Sequence, residues 1–337
     1  MTIFRRISIT ILIAGVALLT GCRYLVDEDL SDCGGEISIN YQLRLIANMQ
    51  VELETVLSEE ADIPTADALR NYLKYIFSDV ARDVDLSFYS PEGEMPRKVH
   101  IREIIDASQA HYVVYLPEQE YMHTCVANME GNGPVQMEDT LLCQSARLAL
   151  AEGEEVSTQH TGIFTSRLPI KIRENDDNTF YSYLYMANSA TALILDTDKA
   201  GEIGEIDVAT SGFADSFDIA DSTYHYSRNY IVRPEELALE QAGRRCFVSV
   251  NFPSRDFAPG SKAFGDDFIW SWRIRVPLPD GTVTETILGV SEPLKAGNLK
   301  IIKAKVYDTG VVSVTDPQVG VSVTLDWQDA GEHEVEF

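Results

Sequence analysis

Basic residues are scarce in this sequence: 27 Lys and Arg stand against 53 Asp and Glu, a formal net charge of −26 at pH 7. Gripping a phosphate backbone takes a positive stripe, so the shortage argues against nucleic acid as a partner. It suits a soluble chain that repels other anionic surfaces. Histidine is scarcer still, with six in 337 residues. His100, His111, His123, His160, His225 and His333 lack the close spacing that sets two imidazoles on one helix face, and each reads as structural or solvated. The sequence has no Gly-x-Ser-x-Gly elbow, no Walker loop, no His-Glu-x-x-His helix and no Gly-x-Gly-x-x-Gly after a strand. No catalytic residue, metal or cofactor is therefore expected. Neighbouring acids such as Asp176-Asp177 and Asp266-Asp267 follow from the acidic composition and read as solvated loops, not as a glycosidase pair. The segment Asp196 to Asp207 has the two early acids and sixth-position glycine of a calcium loop, but Ala200 and Gly204 stand where oxygen ligands belong, so a turn is expected there.

Long apolar runs are also missing. The longest, Ile7 to Leu19, is too short to span a bilayer comfortably, since that takes roughly 20 apolar residues. It follows Arg5-Arg6 and ends at Leu18-Leu19-Thr20-Gly21-Cys22, which is the layout of a cleaved export signal. The Leu-x-Gly-Cys ending resembles the bacterial lipobox. Residues 1–21 would be removed and Cys22 would become the acylated first residue, held to a membrane because several acyl chains anchor stably where one is marginal. With Cys22 lipidated, Cys33, Cys125, Cys143 and Cys246 remain, enough for two disulfides outside the reducing cytosol. No Cys-x-x-Cys is present, so disulfides or buried thiols are expected instead of metal ligation, and the pairing stays open.

After an acidic tether over residues 22–35, folding is expected to begin at Glu36. Ile37, Ile39 and Tyr41 alternate with Ser38 and Asn40, the period of a half-buried strand. Leu69, Tyr72, Leu73, Ile76 and Phe77 recur at helical spacing and predict an amphipathic helix capped near Thr65. Val84 to Phe88 and Val99 to Ile101 form a predicted hairpin about Pro91-Glu92-Gly93. Strands are expected at 111–116 and 121–127, and a short helix over 138–150. The length suits two domains, 36–155 and 156–337. The second half predicts strands at 167–172, 190–196, 205–208, 245–252, 269–277, 282–288, 300–306 and 320–327, with 180–187 open between strand and helix. Turns such as Pro279-Asp280-Gly281 and Ala296-Gly297-Asn298 separate them, the mark of a sandwich. The fold class expected is mainly β. Trp270, Trp272 and Trp327 with Tyr181, Tyr183 and Tyr185 are the aromatics from which a sugar platform could be built. Trp270 and Trp272 share one strand face, however, and are expected in the core.

The lipobox is followed by Asp29-Leu30-Ser31-Asp32-Cys33, an Ile-Ser-Ile-Asn-Tyr strand, and Val84-Asp85-Leu86-Ser87-Phe88-Tyr89-Ser90-Pro91-Glu92-Gly93. Ala296-Gly297-Asn298-Leu299 and Val319-Gly320-Val321-Ser322-Val323-Thr324-Leu325-Asp326-Trp327 come later in the same order. This series resembles the fimbrillin-A-associated anchor family over most of the chain. The resemblance implies two transthyretin-like β-sandwich domains, here with a short helical insertion in the first. It also implies a non-enzymatic subunit lipid-anchored in the outer membrane, facing the cell surface and holding the base of a fimbria by strand exchange with a stalk subunit. Ile37 to Leu43 would stay in its own domain. Val321, Val323, Leu325, Trp327, Val335 and Phe337 would be offered to the partner. The chain departs from the family in a longer connection after the first strand and in Cys125, where relatives often carry tryptophan. Cys33 with Cys125 is the preferred disulfide, because both flank strands of the same expected domain. The competing reading is a surface lipoprotein that binds polysaccharide through exposed aromatics.

Overall fold

The computed structural model describes residues 36–46, 61–77, 81–90, 101–104, 111–138, 143–197, 205–239, 243–256, 268–316 and 319–326. The first stretch runs β1 (Ile37–Ile46), α1 (Ile63–Ile76), β2 (Asp83–Tyr89), β3 (Ile101–Ile104), β4 (His111–Leu116) and β5 (Glu120–Ala127). Next come β6 (Val135–Glu138), a 3-10 turn at Cys143–Ser145, β7 (Arg147–Leu150), β8 (Glu155–Ser157), β9 (Phe164–Lys171) and β10 (Thr179–Met186). Then follow β11 (Ser189–Thr197), β12 (Asp207–Ser211), β13 (Ser216–Asp218), β14 (Thr223–His225), β15 (Ile231–Arg233), β16 (Glu235–Leu237) and β17 (Arg244–Asn251). The last described elements are β18 (Trp270–Pro277), β19 (Val283–Val290), β20 (Leu299–Val306), β21 (Val312–Val314) and β22 (Val319–Asp326).

These strands build a mainly β sandwich protein, with four sheets among the described residues. Their orders are β3-β2-β5-β9-β10-β1-β4, β16-β17-β11-β20-β21, β22-β19-β18-β12-β15-β8 and β14-β13-β7-β6. The predicted hairpin is present, with Leu86 opposite Ile101 and Asp83 opposite Ile104; its turn lies outside the described residues. Residues 179–186, left open between strand and helix, are strand β10. The helix expected over 138–150 is not formed. Arg147-Leu148-Ala149-Leu150 alternates half-buried with buried and pairs with β6 and β13, because period 2 suits a strand packed on one face. Helix α1 begins earlier than expected, with Asp62 at its N-cap and proline in its first turn, where a missing N–H costs nothing. Thr65 is instead buried inside it.

Strand pairing crosses residue 155 in both directions. β9 and β10 hydrogen-bond into the sheet of β1, β2 and β5, whereas β6 and β7 join β13 and β14, and β8 lies parallel to β15. The halves also share packing. The five-stranded sheet is a middle layer: Ala190, Ala192, Ile194, Cys246, Val248 and Val250 join the core containing α1 and the seven-stranded sheet. Leu193, Leu195, Phe247, Ile302 and Ala304 face the opposite way, into the core of the six-stranded sheet. A strand covered on both sides has no place for polar alternation, which is why β11 reads Ser-Ala-Thr-Ala-Leu-Ile-Leu with every one of those residues buried. Helix α1 is fastened to this layer by Tyr72, whose hydroxyl donates to Glu235 at 2.9 Å, and by the Asp62–Arg244 ion pair at 2.7 Å. Between the layers, Asn188 is fully buried, donating to Gln159 and to the Thr161 carbonyl while accepting the Ile163 N–H. Buried amides satisfied in this way tie the junction to one geometry.

Candidate functional site

Three surfaces carry the residues that the sequence marks. The first is the slot occupied by β1. This strand lies parallel to β10, with Asn40 opposite Thr179 and Ile46 opposite Tyr185, and antiparallel to β4, with Ile37 opposite Leu116. Its Ile39 is fully buried in the core beside Val114, Leu116 and Leu184. A strand drawn from far away in sequence thus fills a gap that β10 and β4 cannot close between themselves, and both of its backbone edges are used.

The second surface is the edge formed by β22. It pairs with β19 over its whole length, Val319 opposite Val290 and Asp326 opposite Val283, and it is the last strand of its sheet. One backbone edge is therefore without a strand partner among the described residues. Val321 is opposite the fully buried Leu288 and is itself 43% exposed, with no further strand beside it among the described residues. The backbones of Val323 and Leu325 are opposite Thr286 and Thr284. Trp327, Val335 and Phe337 lie outside the described residues, as do Cys22 and Cys33. The segment named for exchange thus begins within its own sheet.

The third surface is aromatic. Trp270 and Trp272 are buried, their indole N–H groups donating to the Glu292 carbonyl at 2.9 Å and to Thr191 at 3.2 Å. Among the described residues the exposed large aromatics are tyrosines. Tyr181, Tyr183 and Tyr185 alternate along β10 at 56%, 46% and 60% exposure, and Tyr115 on β4 stands at 58%. Their strand partners Ser182, Leu184 and Met186 point inward. A groove of about 510 Å³ adjoins the row, with Met122, Arg167, Pro169, Tyr183 and Tyr185 on one side and Phe217, Ile219 and Tyr224 on the other. Sequence reasoning named these tyrosines but had no signal for their exposure, since inward and outward faces of β10 differ only in register.

The described cysteines, Cys125, Cys143 and Cys246, are free thiols. Burial, with the Asp85 charge adding to it, holds the Cys125 thiol well above its ordinary range. Burial pushes Cys246 up to about 12 despite Arg244 nearby. Such thiols are small core hydrophobes, not nucleophiles. His123 is also core: its ring stacks on Phe88 at 4.3 Å, its Nδ1 lies 2.9 Å from the Ser87 carbonyl, and burial lowers it to about 4. His225 instead reaches Asp218 at 2.6 Å, beside Arg147. The two ends of the calcium-like segment are held by cations, Asp196 by Arg244 and Asp207 by Arg233. Among the described residues no group of three or more His, Cys, Asp or Glu could hold a metal ion, and no helix is long and apolar enough to cross a membrane.

No family model matches the sequence, and no curated protein matches it. Solved structures do resemble its fold. A candidate adhesin from Bacteroides ovatus superposes with a TM-score of 0.52 at 9% identity, covering 88% of this chain and 96% of its own. A second candidate adhesin from Bacteroides ovatus gives 0.50 at 10% identity, over 78% and 86%. The fimbrial anchor protein Mfa2 from Porphyromonas gingivalis gives 0.47 at 9% identity, over 86% and 98%.

Proposed function

We propose that this chain is a non-enzymatic, lipid-anchored fimbrial subunit that holds the base of a fimbria to the outer membrane, facing the cell surface. In this reading residues 1–21 are removed, Cys22 carries the lipid, and two transthyretin-like sandwich units stand above a tether over residues 22–35. The first unit comprises the seven-stranded sheet with α1; the second takes in residues 135–157 along with the later strands.

The observation that carries the proposal is the contrast between the two ends of the folded chain. β1 is locked between two strands, which suits the end that must stay with the membrane. β22 is the last strand of its sheet, with one side lacking a strand partner among the described residues, which suits the end that meets a neighbour. Strand exchange needs an unpaired edge with alternating apolar side chains. Val321, Val323, Leu325, Trp327, Val335 and Phe337 supply the second requirement in sequence. The fold shared with the Bacteroides ovatus candidate adhesins supports the adhesin-like class of this role.

The test is a pull-down from membranes with tagged full-length protein and with protein ending after Trp327, followed by mass spectrometry. Recovery of a fimbrial subunit by the intact chain alone is expected. Equal recovery by both, or no fimbrial subunit with either, rejects exchange through the terminal segment. Lipidation is read separately: Cys22→Ala should abolish palmitate labelling and release the protein from membranes.

The exposed tyrosines favour one second reading, polysaccharide binding along β10. Aromatic faces are amphipathic surfaces on which sugar rings stack. Replacing Tyr181, Tyr183 and Tyr185 with serine would abolish glycan capture under this reading and leave fimbrial recovery unchanged under the first.

A further inference from the structure

A cleft of about 690 Å³ lies on the outer face of the six-stranded sheet, and none of the β10 tyrosines lines it. Its floor is the exposed side of β18 and β12. Arg273 rises there between Ala209 and Ile287, its neighbours on adjoining strands, and Ser211 and Ser271 face each other with their hydroxyls 3.2 Å apart. One wall is aromatic. Gly289 and Gly320 are opposite each other on β19 and β22, and a Cβ on either would run into the Phe268 ring, so the pair forms a flat bed on which that ring lies. Two more arginines close the opposite side, each donating to backbone carbonyls. Arg228 donates to the Leu150 and Ala151 carbonyls at 3.1 and 3.3 Å. Arg255 donates to the Tyr226 carbonyl at 2.7 Å and covers the Tyr226 ring at 4.9 Å.

The charge of this cleft runs against that of the whole molecule. The protein is strongly acidic, with a net −26, yet three arginines line this cleft against two acids. One of the acids, Glu155, is already paired with Arg233 at 2.7 Å. The half-buried Arg273 makes no hydrogen bond or ion pair with any described residue, and its charge only reaches Glu155 at longer range. A guanidinium held in a cleft with its fork unused is a ready partner for a planar oxyanion. The remaining lining narrows the class. Phe268, Tyr226 and Ile287 offer apolar surface to the face of a sugar ring, and the two serines and Asn229 offer partners to its hydroxyls. Glu154 at the rim disfavours a doubly charged phosphate but accepts hydroxyl hydrogen bonds well. The volume lies within the range of small-ligand sites, about 300–1,000 Å³.

We propose that this cleft binds a carboxylate-bearing saccharide, with the carboxylate on Arg273 and a sugar ring against Phe268. No residue of β22 lines the cleft, although Phe268 rests against Gly320 of that strand, and the proposal does not depend on the anchoring role.

Full-length protein titrated calorimetrically with tetragalacturonate and with sialyllactose tests it. Binding of at least one is expected. It should weaken about tenfold to a hundredfold in Arg273→Gln, recover in part in Arg273→Lys, and disappear when the sugar carboxylates are methyl-esterified. The ester comparison uses the unmodified protein, so it stands even if a variant folds poorly. Absence of binding by both acids, equal binding by the ester, an unchanged Arg273→Gln, or displacement of the sugar by millimolar inorganic phosphate would each overturn the proposal.

Discussion

Acidification should loosen the seven-stranded sheet through a single side chain, His123. It sits on β5 between Tyr121 and Cys125 on the core-facing side, stacks on Phe88 and has no exposed surface. Burial is the main cause of its lowered pKa, about 4 against an ordinary 6.5, and the Ser87 carbonyl offsets this only partly. The folded state therefore prefers neutral imidazole, while the unfolded chain takes up a proton near 6.5. Its contribution to stability is complete above 6.5, declines as the pH falls, and is fully lost once the pH passes below about 4. At about 1.4 kcal/mol per pH unit the whole interval is worth about 3 kcal/mol, of which about 2 kcal/mol is gone by pH 5. Losses of that size are a large share of the 5–15 kcal/mol typical of a domain. Urea unfolding followed by circular dichroism, at pH 7.5, 6 and 5, measures it. Other groups titrate over the same range, so the decisive quantity is the difference from His123→Gln, which cannot take up the proton. The wild type should lose about 2 kcal/mol more than the variant between pH 7.5 and 5. Parallel losses in the two proteins would refute the argument.

Three further outcomes follow from packing. Trp272→Ala should cost about 3–5 kcal/mol, since it empties a fully buried site and frees Thr191 of its indole partner; thermal unfolding reads this. Gly289→Ala should cost about 1–3 kcal/mol by lifting Phe268 from its bed, whereas Gly281→Ala, which meets no atom within 4 Å, should show only the smaller strain of its positive φ. Cys125 and Cys246 should resist a thiol reagent in native protein and react on unfolding, while the half-buried Cys143 reacts sooner; equal native rates would contradict their burial.

Much of the strand content was legible because period 2 is written in side-chain chemistry. Val84, Leu86 and Phe88 of β2, and Trp270, Trp272 and Ile274 of β18, name their own inward faces. Turn chemistry was equally plain: Asp280 accepts from the N–H and hydroxyl of Thr282, and Gly281 takes a φ of +86° between β18 and β19. Partnership was not legible. Nothing in Arg147 to Leu150 says that it pairs with Ser216 to Asp218, since strand pairing is decided by burial on faces far apart in sequence. The same segment also lost its expected helix, because Ala149 and Leu150 favour a helix locally and only the sheet overrides that preference. The arginine cleft left no local trace at all. Arg228, Arg255 and Arg273 are spread along the chain and meet only through the loops around the six-stranded sheet.

The placement of β1 determines how the molecule would bear tension. A load entering at Ile37 along the strand direction acts lengthwise on its ladders to β4 and β10 together, so the bonds on both flanks must yield in concert and not one after another. A load applied to β22 from the side meets a single ladder, to β19, that opens from one end like a zip. Of the described strands, the first is a bolt and the last, when loaded from the side, a latch.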